Sequence, residues 1–374
     1  RGRCKPVHGR YFRHPWRKTP ATGCSGHASY FGHALKPLFL GFYADGLTNN
    51  DNEPRMLTQL TASMTLPVIG SPMFIVSGPE LVIAQCKAGI IGAFPALNAR
   101  PAEVLREWLQ QITDTLDDYN AQNPQQPAAP FAVNQIVHPT NDRLDHDVAL
   151  CAEFKVPLII TSLHAPNRVV EQVHAYGGMV FHDVTTLRHA KKAIDAGVDG
   201  LILVCHGAGG HAGRLNPFAF VAEVRQFYDG PLVLAGAITK GEQIAAAQAL
   251  GVDMVYMGTR FIATQQANAQ PAYKQMVLEA AAGDIVYTNL FTGVHGNYLR
   301  QSIEQAGMDP EALPEGDKSA MRYGSGGSSK AKAWRDIWGA GQGVGGITTL
   351  NSVADEIATL RADYQQALDQ LRRR

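Results

Sequence analysis

Two histidines, His206 and His211, bracket the run Gly207-Ala-Gly-Gly210 in the stretch Leu201-Ile-Leu-Val-Cys-His-Gly-Ala-Gly-Gly-His-Ala-Gly-Arg214. Imidazole has the side-chain pKa nearest neutrality, so a histidine held in a loop can take up a proton or, when cationic, hold an anion. Glycines at 207, 209, 210 and 213 let the backbone approach a ligand closely and offer N–H groups to it. His211 lies where little else could supply an ionisable group, whereas His206 closes the apolar run and is read as structural. His182 with Asp183 forms a further polar pair that a turn explains equally well, and His295 in Gly293-Val-His-Gly-Asn297 is a candidate for the rim of a site. Cys4, Cys24, Cys86, Cys151 and Cys205 show no metal-ligand spacing, so no metal is expected.

The elements that must position these residues follow from a repeated alternation of short apolar runs with amphipathic stretches. Eight strands are predicted at Val68–Phe74, Ile90–Pro95, Phe131–Val137, Leu158–Ser162, Met179–Val184, Gly200–Val204, Leu232–Gly236 and Met254–Gly258. Helices are predicted between them at Pro79–Lys87, Pro101–Tyr119, Asp142–Phe154, Asn167–Ala175, Leu187–Ala196, Pro217–Phe227 and Lys240–Leu250, with another after Thr259. Eight such units imply an α/β protein with a closed (β/α)8 TIM barrel, whose chemistry sits at the C-terminal strand ends. Polar and glycine residues collect there, and Asn134 interrupts an otherwise apolar strand. The last two strands end in Gly236-Ala237 and Gly258-Thr259, each before a helix start, which is where barrels commonly hold a phosphate.

The chain has 374 residues and a formal net charge of zero, with no basic surplus for nucleic acid and no apolar run of membrane-spanning length. The odd cysteine number points to a reducing, cytoplasmic setting. Residues 1–55 carry nine Lys/Arg against three Asp/Glu without amphipathic period, so they are read as a disordered leader outside the natural protein, with Met56 as the start. Residues 56–263 with 341–374 are assigned to the barrel and 264–340 to a smaller helical cap. In the cap, Pro271–Ala282 is predicted as a helix, Asp309–Pro314 as a turn-rich connection, Gly324–Ser329 as a flexible loop, and Trp334 with Trp338 as one helix face. A closing helix is predicted over Val353–Leu371.

Gly207-Ala-Gly-Gly-His-Ala-Gly213, Leu234-Ala-Gly-Ala-Ile238 with Gly241, and Tyr256-Met-Gly-Thr-Arg-Phe261 resemble the nitronate monooxygenase, or 2-nitropropane dioxygenase, family. Pro67-Val-Ile-Gly-Ser-Pro-Met73 and Ala333-Trp-Arg-Asp-Ile-Trp-Gly-Ala-Gly-Gln-Gly343 are similar to it too. The resemblance implies an FMN-binding barrel that oxidises alkyl nitronates with O2 to a carbonyl product and nitrite. Carried over, it implies the FMN phosphate at Gly236, Ala237, Gly258 and Thr259, Met73 and Asn134 beside the isoalloxazine, Gly209 and Gly210 against the flavin, and His211 as the catalytic histidine. Val204 stands where many members carry Gln, and Gly207 where some carry an acidic residue.

The expected partners are a nitronate or nitroalkane and O2, with a homodimer compatible with the reading. Two other functions fit the same residues: an NAD(P)H-dependent FMN reductase of quinones or enoyl thioesters, and a barrel that binds a phosphorylated metabolite without redox chemistry. Gly207–Ala212 matches a dinucleotide fingerprint literally, but the following strand Leu232–Ala237 offers no acidic residue for a ribose. Gly341–Gly346 matches as well, yet no apolar strand precedes it.

Overall fold

Runs of Val, Ile and Leu that are buried on both sides become the barrel staves in a computed structural model, which describes residues 53–317 and 336–373. The parallel strands are β1 (Val68–Gly70), β2 (Gly92–Pro95), β3 (Phe131–Val137), β4 (Leu158–Leu163), β5 (Met179–Val184) and β6 (Gly200–Val204). A two-residue strand, β7 (Gly210–His211), comes next, and β8 (Leu232–Ala235) and β9 (Met254–Met257) complete the parallel set. Eight strands pair in the order β1-β9-β8-β6-β5-β4-β3-β2. Gly70 N donates to Ile91 O at 2.8 Å and Ile91 N to Val68 O at 3.1 Å, which brings the two ends of the sheet together. The TIM-barrel expectation is met. Strand one is shorter than predicted, because Ser71–Phe74 already forms the loop that carries Met73.

Successive residues of a strand point to opposite faces, and here both faces are apolar. Ile69, Ala93, Ala132, Ile160, Phe181, Ile202, Val233 and Met254 fill the barrel axis. Val68, Phe94, Val133, Ile159, Val180, Leu201, Leu234 and Val255 face the surrounding helices. The helices are set locally: Thr186 accepts from His189 N to open Leu187–Asp195, Asn216 accepts from Phe218 N to open Pro217–Val224, and Ser352 accepts from Asp355 N to open Val353–Arg372. The last of these buries Val353, Ile357, Leu360 and Tyr364, a stripe at helical spacing.

The segment after the barrel contains the predicted helix, observed at Pro271–Glu279, and also a hairpin of β10 (Ile285–Thr288) and β11 (Gly296–Leu299). Strand β11 pairs antiparallel with β7, Gly296 opposite His211 and Asn297 opposite Gly210. The segment is therefore not helical throughout: a three-stranded sheet ties it to the glycine loop. Trp338 is buried and stacks on Tyr273 at 5.0 Å, while Trp334 and the Gly324–Ser329 loop lie outside the described residues. Of the basic segment, only its last residues are described, and the helix Glu53–Thr61 runs across position 55. Among the described residues no helix is long and apolar enough to cross a membrane, and no cluster of His, Cys, Asp or Glu could hold a metal.

Candidate active site

The glycine loop is held in place by backbone. Gly207 and Gly210 adopt φ of 86° and 65°, the left-handed region that glycine enters without strain. Asn297 Nδ2 donates to Ala208 O at 2.6 Å, Ala212 N to His295 O at 3.1 Å, and Tyr287 Oη to Ala212 O at 2.9 Å. His211 thus lies on a short strand rather than in a free loop, with its direction fixed by β11.

Its ring meets Thr292, Nε2 to Oγ1 at 3.0 Å. Thr292 gives its single hydroxyl proton to Val294 O at 2.9 Å, so towards the histidine it acts as acceptor. Nε2 then carries the hydrogen and the basic lone pair sits on Nδ1. Burial among these loops pushes the His211 pKa down to about 4, so the ring is neutral at neutral pH. The cationic role open to a histidine in the sequence is therefore not the resting one.

On the other side of the loop, three chain segments converge. Gln342 N donates to Gly207 O and Gly341 N to Thr259 Oγ1, each at 2.9 Å. Ala237 holds a φ of 56°, unusual for a residue with a side chain, directly after Gly236 at 132°. A Cβ on Gly209 would lie 2.9 Å from Gly341 N and 3.1 Å from Thr259 Oγ1, and one on Gly343 would lie 2.9 Å from the Ala237 carbonyl carbon. A Cβ on Gly258 would lie 3.5 Å from Met73 Sδ. Gly209, Ala237, Gly258, Thr259 and Met73 are thereby brought together, with Gly341 and Gln342 added. Such a cradle of small residues, turned backbone and one hydroxyl suits a phosphate.

Asn134 sits across the mouth from this cradle. It is buried and donates to Ser162 Oγ at 2.9 Å, and Ser162 donates to Asp183 Oδ2 at 2.7 Å. The pair predicted at 182 and 183 is split by the strand's alternation. His182 faces outward, buried, with Nδ1 2.8 Å from Thr161 Oγ1, and burial lowers its pKa to about 4; it belongs to the helix layer. Asp183 faces the barrel axis, and burial raises its carboxyl to about 7 despite the Ser162 hydrogen bond. His206 is exposed beside Tyr287, and His295 stacks on Tyr287 at 5.0 Å with Arg214 Nη2 3.4 Å from its Nε2, so the two histidines pack around one tyrosine. Thr292, one residue before the Gly293–Asn297 motif, carried no signal in the sequence, and Gly341 stood out only as the start of a glycine-rich run with no apolar strand before it.

A cavity of about 450 Å3 lies at the opposite end of the barrel, lined by Leu60, Thr113, Pro157 and Met179. This fold does not use that end for chemistry. Another of about 630 Å3 runs along the outer side of the β8 and β9 loops, past Thr239, Lys240, Arg260 and Gly346.

The nitronate monooxygenase family profile matches residues 56–363. This chain belongs to the nitronate monooxygenase family. The family consists of oxidoreductases and is generally flavin-dependent, as the resemblance read from Gly207–Gly213 and Tyr256–Phe261 implied. The chain is 26% identical over 354 residues to nitronate monooxygenase of Paraburkholderia phytofirmans, spanning 82% of this chain and 94% of that protein. Among solved structures, FabK from Thermotoga maritima aligns with a TM-score of 0.67 at 26% identity, over 84% of this chain and 97% of that one. Nitroalkane oxidase from Streptomyces ansochromogenes aligns with a TM-score of 0.68 at 23% identity, over 84% and 99%, a likeness of fold.

Proposed function

We propose that this nitronate monooxygenase family member binds FMN across the barrel mouth and oxidises alkyl nitronates with O2, releasing a carbonyl product and nitrite. The observation that carries the reading is the convergence of Ala237, Thr259, Gly209 and Gly341 on one spot, with His211 held on the same loop. The phosphate falls to Gly236, Ala237, Gly258 and Thr259, the ring to Met73, Asn134, Gly209 and Gly210, and proton transfer to His211. Orphaned polar atoms inside the mouth, Asp183 Oδ1 and the Tyr256 hydroxyl, suit a ligand with a hydrogen-bonding edge.

FMN, when bound, supplies the redox chemistry, accepting electrons from an electron-rich nitronate and passing them to O2. The protein's part is acid–base, positional and exclusionary. A nitroalkane has an acidic α-hydrogen, and the neutral His211 ring, oriented by its contact with Thr292 Oγ1, takes it as a proton. The imidazolium so formed lies beside the nitronate it has made. The β10–β11 hairpin, paired through β11 with the strand that carries His211, is the segment positioned to shield the reaction from water.

Anaerobic mixing of the purified yellow protein with propionate 3-nitronate, and separately with NADH, tests the reading. The nitronate should bleach the flavin and NADH should leave it oxidised. The reverse result makes the protein an NAD(P)H-dependent reductase, and a protein that takes up no flavin removes both redox readings.

A further inference from the structure

Asn134, Ser162 and Asp183 stand two residues beyond Ala132, Ile160 and Phe181, which line the barrel axis on β3, β4 and β5. Side chains two apart share a strand face, so all three polar groups form one tier on the axis, just above the apolar filling. Tyr256, two beyond Met254, joins that tier from β9. Hydrogen bonds run Asn134 to Ser162 to Asp183 and then stop. Asp183 Oδ1 and the Tyr256 hydroxyl are buried and have no hydrogen-bond partner among the described residues. The Asp183 carboxylate nevertheless lies close enough to raise the Tyr256 hydroxyl further above its ordinary value, beyond the larger effect of burial.

A carboxyl and a phenol left unsatisfied in one interior tier cost free energy unless a ligand completes them, roughly 1–3 kcal/mol each and more for a charge. We propose that Asp183 and Tyr256 form a two-point hydrogen-bonding site for the polar edge of a planar heterocycle, and that Asp183 is the group through which the protein sets the charge beside the bound flavin ring. The inference rests on the FMN reading above. A phenol donates and accepts, and a carboxyl donates when protonated and only accepts when ionised, so the pair matches an edge that alternates C=O and N–H. Ser162 donates to Oδ2 and leaves Oδ1 for a ligand, with Asn134 in turn holding Ser162.

Burial brings the carboxyl to about 7, so it changes charge near neutral pH. The other ionisable groups around it do not change there: His182 on its own strand and His211 on the neighbouring loop are both pushed down to about 4, and Tyr256 is raised well above 10. His206 and His295 lie outside the tier, around Tyr287.

The test is a pH titration of the flavin absorbance in the holoprotein between about pH 5 and pH 9. A one-proton shift of the bound-flavin spectrum with its midpoint near 7 is expected, and it should persist in His206→Gln and His295→Gln. Asp183→Asn, close in size and still able to accept from Ser162, should abolish it. Tyr256→Phe, which keeps the ring that fills the barrel, should move the midpoint upward because the ionised carboxyl loses a nearby hydroxyl. A spectrum that is flat with pH in wild type, or a transition unchanged in both Asp183→Asn and Tyr256→Phe, overturns the proposal while leaving the FMN reading in place. Protein that binds no flavin overturns both.

Discussion

His211 and His182 are both held neutral by burial, but only His211 stands on a segment that borders the proposed site. His211→Ala should therefore keep its flavin while turnover of the neutral nitroalkane falls by roughly 10²–10⁴-fold. Unchanged turnover would reduce the histidine to a partner of Thr292. His182 acts on stability instead. It is neutral in the native state, while the unfolded chain binds its proton near 6.5, so stability present at and above that pH is lost as pH falls towards 4. The window is worth about 3 kcal/mol. Urea unfolding at pH 7 and pH 4.5 should show a smaller drop for His182→Leu than for wild type, and equal drops would contradict the assignment. Asp183 works in the opposite sense, since its carboxyl is raised and its share of stability is lost as pH rises towards 7.

At the scale of elements, contact between the glycine loop and the 340–343 run decides whether the cradle closes. Gly209→Ala would bring a Cβ to 2.9 Å from Gly341 N and 3.0 Å from the Ala340 carbonyl carbon, so the run must move away from Thr259. FMN retention after gel filtration should drop with little change in Tm, whereas Gly283→Ala, with nothing within 4 Å, should match wild type. Retained flavin in Gly209→Ala would show that the run does not form the cradle. The eight staves were legible because residues on both faces of each are apolar, which gives short unbroken runs such as Leu201–Val204. Strand β7 was not, since two residues have no period, and its pairing with Gly296 and Asn297 depends on a segment 86 residues downstream, counting from Gly210 to Gly296. The opposite facing of His182 and Asp183 is a parity that the sequence contains. Which parity points inward is settled only by the register of β5 against β4 and β6.

Across the whole molecule, the cradle is anchored by the chain's last helix. Arg260, in the helix that follows Gly258-Thr259, forms an ion pair with Glu356, both buried, and Asn351 Nδ2 donates to Glu356 Oε1 at 2.9 Å. Breaking a buried pair strands the remaining charge, so Arg260→Met should lower unfolding stability by roughly 3–5 kcal/mol and weaken FMN binding with it. Urea unfolding read by tryptophan fluorescence would check this, and a change below about 1 kcal/mol would show the pair to be dispensable. Helix Val353–Arg372 also packs on Gly241–Ala249, where a Cβ on Gly241 would lie 2.3 Å from Leu360 O. The closing helix and the loops after β8 and β9 are thus one mechanical unit.

The most direct measurement is a crystal structure of the purified yellow protein. The account predicts the FMN phosphate between Gly236-Ala237 and Gly258-Thr259, the ring beside Met73 and Asn134 with its polar edge towards Asp183 and Tyr256, and the His211 imidazole facing the ring. A phosphate bound elsewhere, such as beside Lys240 and Arg260 on the outer side of those loops, or an imidazole turned from the ring, would contradict it.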